Sequence, residues 1–286
     1  MKFAHPNSMT YWWPRVKDVE VCKPYTYMVE WDMGIYWDLL GVVDGPEAEG
    51  AGAAYATLEE IAAVALAYAR HLIPPVFIRG CQTSGKHDWE ETCFFTKETI
   101  ADRMAFSNQI ANLICDHESK FWLSGDPMLG LAIREFIPST PIFFTFHGNM
   151  PVTKERRMFY VKDEGIVCNH PYWPHAAIGE WERRKWGEST LPKDWVEQLD
   201  EMNYPHPHEI RTLESEVEAV GRALVSDEFP AWSIDFLYGS DGNWYFIDCA
   251  TAPESYHWEN CPNKERFERG KFHHLTNPKE RSGEGC

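Results

Sequence analysis

Residues 231–250 form two apolar, aromatic-rich runs on either side of the dipeptide Asp241-Gly242. Asp-Gly in this setting is typical of a two-residue β-hairpin turn, because both residues tolerate the positive φ of a type I′ turn. The register of that turn sets Asp235 directly opposite Asp248 on one face of the ribbon. The further pairs that it predicts are Ser240 with Asn243, Tyr238 with Tyr245, and Phe236 with Ile247.

Two carboxylates that face each other in this way need compensation. Opposed residues in a hairpin have Cβ atoms roughly 4.5–5.5 Å apart, and like charges at that distance are destabilising. A shared proton, a basic neighbour or a divalent cation would offset the repulsion. We interpret Asp235 and Asp248 as ligands of a metal ion. If the register is shifted by one residue, they are instead unrelated aspartates on opposite faces.

The 286-residue chain is 44% hydrophobic and 14% aromatic, which suits a globular protein with two lobes or one large domain with insertions. It has no run of about 18 apolar residues, and its first residues contain no signal-peptide core. We therefore expect a cytoplasmic protein without a membrane partner. The net charge of −17 makes nucleic acid an unfavoured partner, although a local basic groove is compatible with it.

The eight cysteines are scattered and include no Cys-x-x-Cys pair, so we interpret them as reduced thiols rather than a disulfide framework. The histidines of His206-Pro207-His208 and His273-His274 lack partners at zinc spacing. The sequence therefore does not favour a structural zinc site.

Apolar periodicity predicts both helices and strands along the chain. The predicted helices cover residues 58–71, opened by a capping box at 57–60, then 96–117 and 208–226. The apolar face of the second helix contains Ile100, Met104, Ile110 and Leu113. Strands or extended pieces are predicted over residues 18–22, 26–30, 76–79, 92–95, 129–137, 141–146, 155–161 and 164–169. Residues 170–206 indicate an irregular insertion, and the chain becomes polar after residue 262.

Three basic residues, Lys86, Arg79 and Arg157, lie at positions where their side chains can bind an anion. Lys86 lies in a small-residue loop at 82–87, whose backbone N–H groups can surround phosphate oxygens. The loop is not a Walker A motif, because the GxxxxGK[ST] spacing is absent, and an ordinary polar loop fits equally. Arg79 ends an apolar strand, where it binds an anion or extends to solvent. Arg157 lies on an inner strand face and needs a triphosphate or a neighbouring carboxylate.

The order of these signals resembles the ATP-grasp superfamily. That superfamily has a strand with a basic residue, a phosphate-covering loop with a second one, a hinge strand that contacts adenine, a strand with an Arg, and a strand pair with two acidic Mg²⁺ ligands. The corresponding residues here are 76–79, 84–86, 133–136, 155–159, and 233–235 with 246–248. The layout is similar to the phage-associated clade named for one Arg and two Lys, to an assembly factor of a eukaryotic translation initiation factor, and to uncharacterised phage and prokaryotic members.

The resemblance implies an α+β ATP-grasp fold, in which two α+β lobes grip a nucleotide between antiparallel sheets. It covers residues 74–260 and leaves a short, atypical N-terminal segment. The domains that it implies are an N-terminal segment at 1–73, an N-lobe at 74–140, a C-lobe at 141–262 and a polar tail at 263–286.

The resemblance also implies an enzyme, namely an ATP- and Mg²⁺-dependent ligase that joins a carboxylate to an amine or thiol through an acyl phosphate and forms ADP. The implied partners are a small-molecule or peptide carboxylate and an amine acceptor. The nucleotide-binding residues would be Arg79, Lys86, Arg134, Glu135 and Arg157, with Lys86 and Arg157 also catalytic and Asp235 and Asp248 binding the metal. Many members place Asn where this chain has Ala250, so a second metal ion stays open, with Glu254 as a substitute ligand.

Two other functions stay open. A nucleotide-binding assembly factor or chaperone would keep the ATP site and act without turnover. A nucleic-acid end-modifying enzyme could use the Trp- and Arg-containing stretch at 181–186 as a stacking platform, but no Lys-x-Asp-Gly adenylation motif is present. The aromatic stretches at 170–174 and 255–258 either border the acceptor site or pack in the core.

Overall fold

The computed structural model describes residues 5–48, 50–124, 127–145, 150–176, 178–179 and 191–267. The helices in this part of the chain are α1 Met9–Val16, α2 Met33–Val43, α3 Ala51–Ala69, α4 Trp89–Thr92, α5 Lys97–Ala101, α6 Arg103–Ser124, α7 Trp195–Asn203 and α8 Pro207–Leu224. The strands are β1 Thr26–Glu30, β2 Val76–Gly80, β3 Phe94–Phe95, β4 Gly130–Glu135, β5 Phe143–Thr145, β6 Met150–Val152, β7 Glu155–Val161, β8 Gly165–Pro171, β9 Ala231–Tyr238 and β10 Trp244–Thr251.

The first lobe is built on an antiparallel sheet with the strand order β1-β4-β2-β3. Side chains alternate between the two faces of such a sheet. Val76, Ile78 and Ile133 lie on the face that packs against α2, α3 and α6, and all three are fully buried. Phe77 and Arg79 alternate with them and therefore face the other lobe.

The second lobe contains an antiparallel sheet with the strand order β10-β9-β7-β8. Helix α8 covers one face of it with a helical stripe of apolar residues, Leu213, Val217, Val220 and Leu224. Met158, Ile234 and Phe246 of the sheet belong to the same core. The opposite face of this sheet faces the first sheet, and a cleft lies between the two sheets.

The α+β class is confirmed, with both lobes built on antiparallel sheets. The strands predicted at 26–30, 76–79 and 155–161, and the helix at 208–226, lie within two residues of the observed elements. Strand β1 is hydrogen-bonded to β4, so the N-terminal segment contributes one strand to the first sheet. The four-part domain division itself stays a prediction. Among the described residues, no helix combines the length and apolar character needed to cross a membrane.

The helix predicted over 58–71 begins earlier, which corrects the capping-box interpretation. Helix α3 starts at Ala51 behind Gly50, whose φ of 84° only glycine adopts freely. Thr57 therefore lies inside the helix rather than at its N-cap. The alanine-rich start of α3 supplies the helix propensity that the apolar pattern alone did not show.

The helix predicted over 96–117 is two helices with a break at Asp102. Thr96 caps the first, accepting a hydrogen bond from the Thr99 N–H at 3.2 Å. Asp102 then accepts hydrogen bonds from the backbone of Met104 and Ala105, at 2.9 and 3.1 Å, and caps the second. The break rotates the apolar face, so Met104, predicted to be inward, is 71% exposed.

Several shorter predictions are also wrong. Residues 18–22 form turns rather than a strand, and α1 and α2 were not predicted. The strand at 92–95 shrinks to β3, because α4 extends to Thr92. The insertion at 170–206 contains α7, whose Leu199 and Met202 pack on β5 and β6. Residues 181–186, the suggested stacking platform, lie outside the described residues.

Candidate functional site

The hairpin connects β9 and β10 through three residues rather than two. The Gly239 N–H donates to the carbonyl oxygen of Asn243 at 2.8 Å, and Gly242, with a φ of 84°, occupies the left-handed position. This is a type I turn followed by a left-handed residue, which is the common three-residue hairpin. The predicted pairs near the turn are therefore wrong, and the observed pairs are Tyr238 with Trp244, Leu237 with Tyr245, and Phe236 with Phe246.

A β-bulge at Ile247 restores the register further along the hairpin. Asp248 is the partner of Asp235, as predicted. The extra residue also changes the phase of β10, because Phe246 and Cys249 both belong to the core while Ile247 and Asp248 both line the cleft. Without the bulge, Asp248 would share the face of Phe246 and point into the core.

Each of the facing aspartates is paired with its own arginine. Arg157 is the neighbour of Asp235 across β7 and β9, and binds it through two hydrogen bonds, 2.8 Å from Nε to Oδ1 and 2.7 Å from Nη2 to Oδ2. Arg79 reaches across the cleft from β2, and its Nη1 lies 2.7 Å from Asp248 Oδ2. Basic neighbours therefore compensate the carboxylates in the free protein.

The electrostatics of these arginines follow from burial and pairing. Burial opposes the charged form of Arg79, but Asp248 outweighs it and holds the pKa of that guanidinium above its ordinary value. The same balance, with Asp235 as the main partner, raises the pKa of Arg157. Both side chains therefore stay charged, and their low exposure, 5% and 17%, strengthens their interaction with an anion.

Lys86 is partly buried and contacts two aromatic side chains. Its Nζ donates to the hydroxyl of Tyr172 at 2.9 Å and lies 4.1 Å from the centre of that ring. It also lies 4.7 Å from the ring of Trp173. Burial opposes its charge, but Tyr172 and Glu155 outweigh it and raise the pKa of Lys86. The aromatic stretch at 170–174 thus contributes Tyr172 to the cleft.

The loop that carries Lys86 is held in one conformation. Gly85 has a φ of 66°, which places it in the left-handed region. Thr92 Oγ1 lies 2.7 and 2.8 Å from the carbonyl oxygens of Gly85 and Asp88, which share its single hydroxyl proton. A Cβ at position 85 would stand 2.9 Å from atoms of Leu113 and Thr92, so the loop requires glycine there.

Arg134 and Glu135 also line the cleft, at the end of β4. Arg134 Nη1 donates to the carbonyl oxygen of Ile247 at 2.6 Å, which ties the first lobe to the bulge. Its Nη2 is buried without a hydrogen-bond partner among the described residues. Burial first, and then the charge of Arg79, lower the pKa of Arg134. A buried cationic donor without a partner indicates an anionic or lone-pair ligand at this point.

Glu155 is a cleft residue that the sequence analysis did not assign to the site. Its Oε1 accepts hydrogen bonds from Trp173 Nε1 at 3.2 Å and Thr153 Oγ1 at 3.4 Å, whereas its Oε2 is buried without a partner among the described residues. Burial raises the pKa of this carboxyl group, and Lys86 partly offsets that effect. Its alternation with Arg157 on β7 was the available signal. Glu254, the suggested substitute ligand, is exposed and does not line the cleft.

The remainder of the cleft is largely apolar. The whole cleft offers about 850 Å³ of space, which includes volume that is open to solvent. The apolar and aromatic lining comes from both lobes and from the segment that follows β4. It comprises Pro24, Phe77, Trp89, Phe136, Ile137, Met150, Pro151, Leu237 and Ile247. The rings of Phe77 and Phe136 lie 5.5 and 6.3 Å from that of Trp89 and form an apolar part of the cleft that is suited to a flat ring, whereas the aspartates and arginines form its charged part.

No protein-family model and no curated protein matches the chain. Several solved structures are similar to it. D-alanyl-alanine synthetase A from Vibrio cholerae has 9% sequence identity and a TM-score of 0.43, and the match covers 86% of this chain and 55% of that one. The VanG D-Ala:D-Ser ligase from Enterococcus faecalis has 10% identity and a TM-score of 0.41, and the match covers 86% of this chain and 52% of that one. A third structure, a RimK domain protein ATP-grasp from Sphaerobacter thermophilus, has 10% identity and a TM-score of 0.38, and the match covers 86% of this chain and 58% of that one. The chain is similar to each of these structures over most of its own length. It spans a little over half of these three structures, and function must be inferred from its own cleft.

Proposed function

We propose that this protein is an ATP- and Mg²⁺-dependent ligase that joins a carboxylate to an amine or thiol through an acyl phosphate and releases ADP. The observation that carries the proposal is the charged end of the cleft. There two facing carboxylates, Asp235 and Asp248, meet arginines from both lobes, with Lys86 opposite.

The residues present fit a nucleotide with Mg²⁺. Asp235, Asp248 and Glu155 supply carboxylate oxygens, the donors that Mg²⁺ prefers. Arg79, Lys86 and Arg157 supply positive charge for a triphosphate. The two buried atoms without a partner, on Arg134 and Glu155, are the kind of groups that a bound ligand satisfies.

The ion pairs suggest how the free cleft accepts such a ligand. In our proposal, Arg79 and Arg157 exchange their carboxylate partners for phosphate oxygens when the nucleotide binds. Asp248 and Asp235 are then free to bind the cation. Each buried charge keeps an opposite partner before and after the exchange, which avoids the large cost of leaving a charge unpaired.

Within the proposed reaction, the residues position the reactants and stabilise charge. Lys86 and Arg157 would hold the transferred phosphoryl group and offset the charge that develops on its oxygens. Mg²⁺, when bound, neutralises the phosphates and helps to align them. The apolar end of the cleft, with Trp89, Phe136 and the neighbouring Glu135, would hold the adenine.

The proposed chemistry has two steps. An oxygen of the substrate carboxylate attacks the γ-phosphorus, and the bond to the leaving ADP breaks. An amine or thiol then attacks the acyl carbon, inorganic phosphate leaves with the former carboxylate oxygen, and the nucleophile loses one proton. Arg157 and Lys86 meet the same phosphoryl group in both steps.

A trapping assay tests this proposal without knowledge of the natural acceptor. The protein is incubated with Mg²⁺–ATP, hydroxylamine as a general nucleophile, and pools of amino acids and short peptides as carboxylates. The proposal predicts hydroxamate together with equal amounts of ADP and phosphate. Release of AMP and pyrophosphate would contradict it. Tight Mg²⁺–ATP binding without any turnover would favour the assembly-factor alternative.

A further inference from the structure

A second cluster of chemically reactive side chains lies outside the residues that line the cleft. Cys168 and His170 come from β8, and His257 and Cys261 from the segment that follows β10. One donor atom from each of the four lies within 4.8 Å of all the others. None of these residues lines the cleft, and none takes part in the reaction proposed above.

The backbone arranges the four donors from two short motifs. Cys168 and His170 alternate on one strand, so they share a face. His257 and Cys261 are four positions apart, a separation that recurs between zinc ligands. Cys168 Sγ lies 3.1 Å from His257 Nε2, and the rings of the two histidines are 4.7 Å apart.

The hydrogen bonds around the histidines leave nitrogen atoms available to a metal. Nδ1 of His257 lies 3.4 Å from the carbonyl oxygen of Trp258, an arrangement that directs the Nε2 lone pair toward Cys168. Nε2 of His170 is buried and has no hydrogen-bond partner among the described residues. A buried nitrogen without a partner needs an explanation, and a bound metal ion provides one.

We propose that Cys168, His170, His257 and Cys261 form a tetrahedral site for Zn²⁺. Two thiolates and two neutral imidazoles around a divalent ion give a neutral centre, which suits a buried position. Tetrahedral ligands around zinc lie roughly 3.3–3.8 Å from one another, so the donors need to move together by about 1 Å. Binding releases the two thiol protons to solvent. With all four positions filled by protein, the site is structural.

The position of the site defines what it would stabilise. It joins β8 to the segment after β10, close to contacts that already link them: Trp258 Nε1 donates to Pro171 O and Asn263 Nδ2 to Val167 O, both at 3.0 Å. His170 is the strand partner of Arg157. The metal would therefore hold β8 in place beside Arg157, the arginine that we assign to phosphate. It would also hold the segment after β10 that includes Lys264–Phe267.

The main rival is a disulfide between Cys168 and Cys261, whose thiols belong to the same cluster. Both are free thiols in the structure. A disulfide would leave Nε2 of His170 buried without a partner, whereas a metal ion engages all four side chains. The test below separates these two outcomes.

The experiment measures metal content in the full-length, untagged protein after expression with added zinc. We expect about one zinc per chain in the wild type and in Cys22→Ser, which changes an exposed thiol outside the cluster. We expect the zinc to be lost in Cys261→Ser. Asp235→Asn should keep its zinc, so this site and the proposed nucleotide site can fail independently.

A second measurement on the wild type does not depend on how the variants fold. The demetallated, reduced protein is titrated with Co²⁺, and the proposal predicts absorption bands of tetrahedral cobalt with thiolate charge transfer, which one equivalent of zinc abolishes. Octahedral cobalt spectra, a protein free of zinc, or a mass of the protein as purified that is lower by two hydrogen atoms with no metal would overturn the proposal. The last result would establish the disulfide.

Discussion

At the scale of single residues, the two facing aspartates of the cleft are each already paired with an arginine. Asp235 is buried, the side chain of Arg157 is 17% exposed, and two hydrogen bonds join them. The sequence indicated the aspartates through the turn signal between them, although the turn is one residue longer than predicted, and it indicated Arg157 by strand alternation. It did not indicate Glu155 or the four cluster ligands, because burial and contacts between distant segments are not visible in local patterns.

The buried pair should contribute to stability in the free protein. Asp235→Asn leaves the guanidinium of Arg157 without its carboxylate, and we expect a loss of about 3 kcal/mol in the free energy of unfolding. Asp227→Asn is the matched control, because Asp227 pairs with Lys162 at the surface and its side chain is 97% exposed. Its stability should stay essentially unchanged. Chemical denaturation of both variants measures the difference, and equal small losses would show that Asp235 and Arg157 are not coupled.

Glu155 should make stability depend on pH with a defined sign. Because burial raises its pKa in the folded protein, the folded state binds more protons than the unfolded state just above the ordinary Glu pKa of about 4.3. The contribution of Glu155 to the free energy of unfolding therefore falls as the pH rises through that window. Glu155→Gln cannot lose a proton and lacks this effect. Denaturation of both proteins at several pH values should show the wild type losing stability relative to the variant as the pH rises; a constant difference would contradict the assignment.

At the scale of elements, the site depends on two irregularities that cancel. A three-residue turn shifts the hairpin by one position from the predicted register, and the bulge at Ile247 shifts it back. The sequence therefore predicted correctly that Asp235 and Asp248 face each other, although the register that it predicted next to the turn is wrong. Turn length and bulges depend on local hydrogen bonds, here those of Asp241 with Asn243 at 3.1 and 2.8 Å, which the dipeptide alone does not specify.

The Lys86 loop provides a test at the same scale. Gly85→Ala puts a Cβ 2.9 Å from Leu113 and Thr92 at a positive φ, so the loop must move and Lys86 with it. We expect nucleotide affinity to fall by about tenfold or more, which corresponds to roughly 1.4 kcal/mol. Gly52→Ala is the control, because a Cβ there meets nothing within 4 Å, and it should leave affinity unchanged. Equal affinities in the wild type and Gly85→Ala would show that the loop does not cover the ligand.

At the scale of the whole molecule, the two lobes are joined by charged and polar contacts across the cleft. These are Arg79 with Asp248, Arg134 with the carbonyl of Ile247, and Lys86 with Tyr172. The family resemblance implied the α+β class, and strand patterns predicted most strands of both sheets. They did not predict which faces meet, because that depends on how helices α2, α3, α6 and α8 cover the other faces of the two sheets.

The central claim is that this cleft binds a nucleotide together with Mg²⁺ through Asp235 and Asp248. Calorimetry with a non-hydrolysable ATP analogue tests it most directly, on the wild type and Asp248→Asn, each with Mg²⁺ and with EDTA. We expect the wild type to bind about tenfold or more tightly with Mg²⁺ than with EDTA, and the variant to lose that difference. Equal affinities of the wild type in both conditions, or an unchanged Mg²⁺ effect in Asp248→Asn, would contradict the claim.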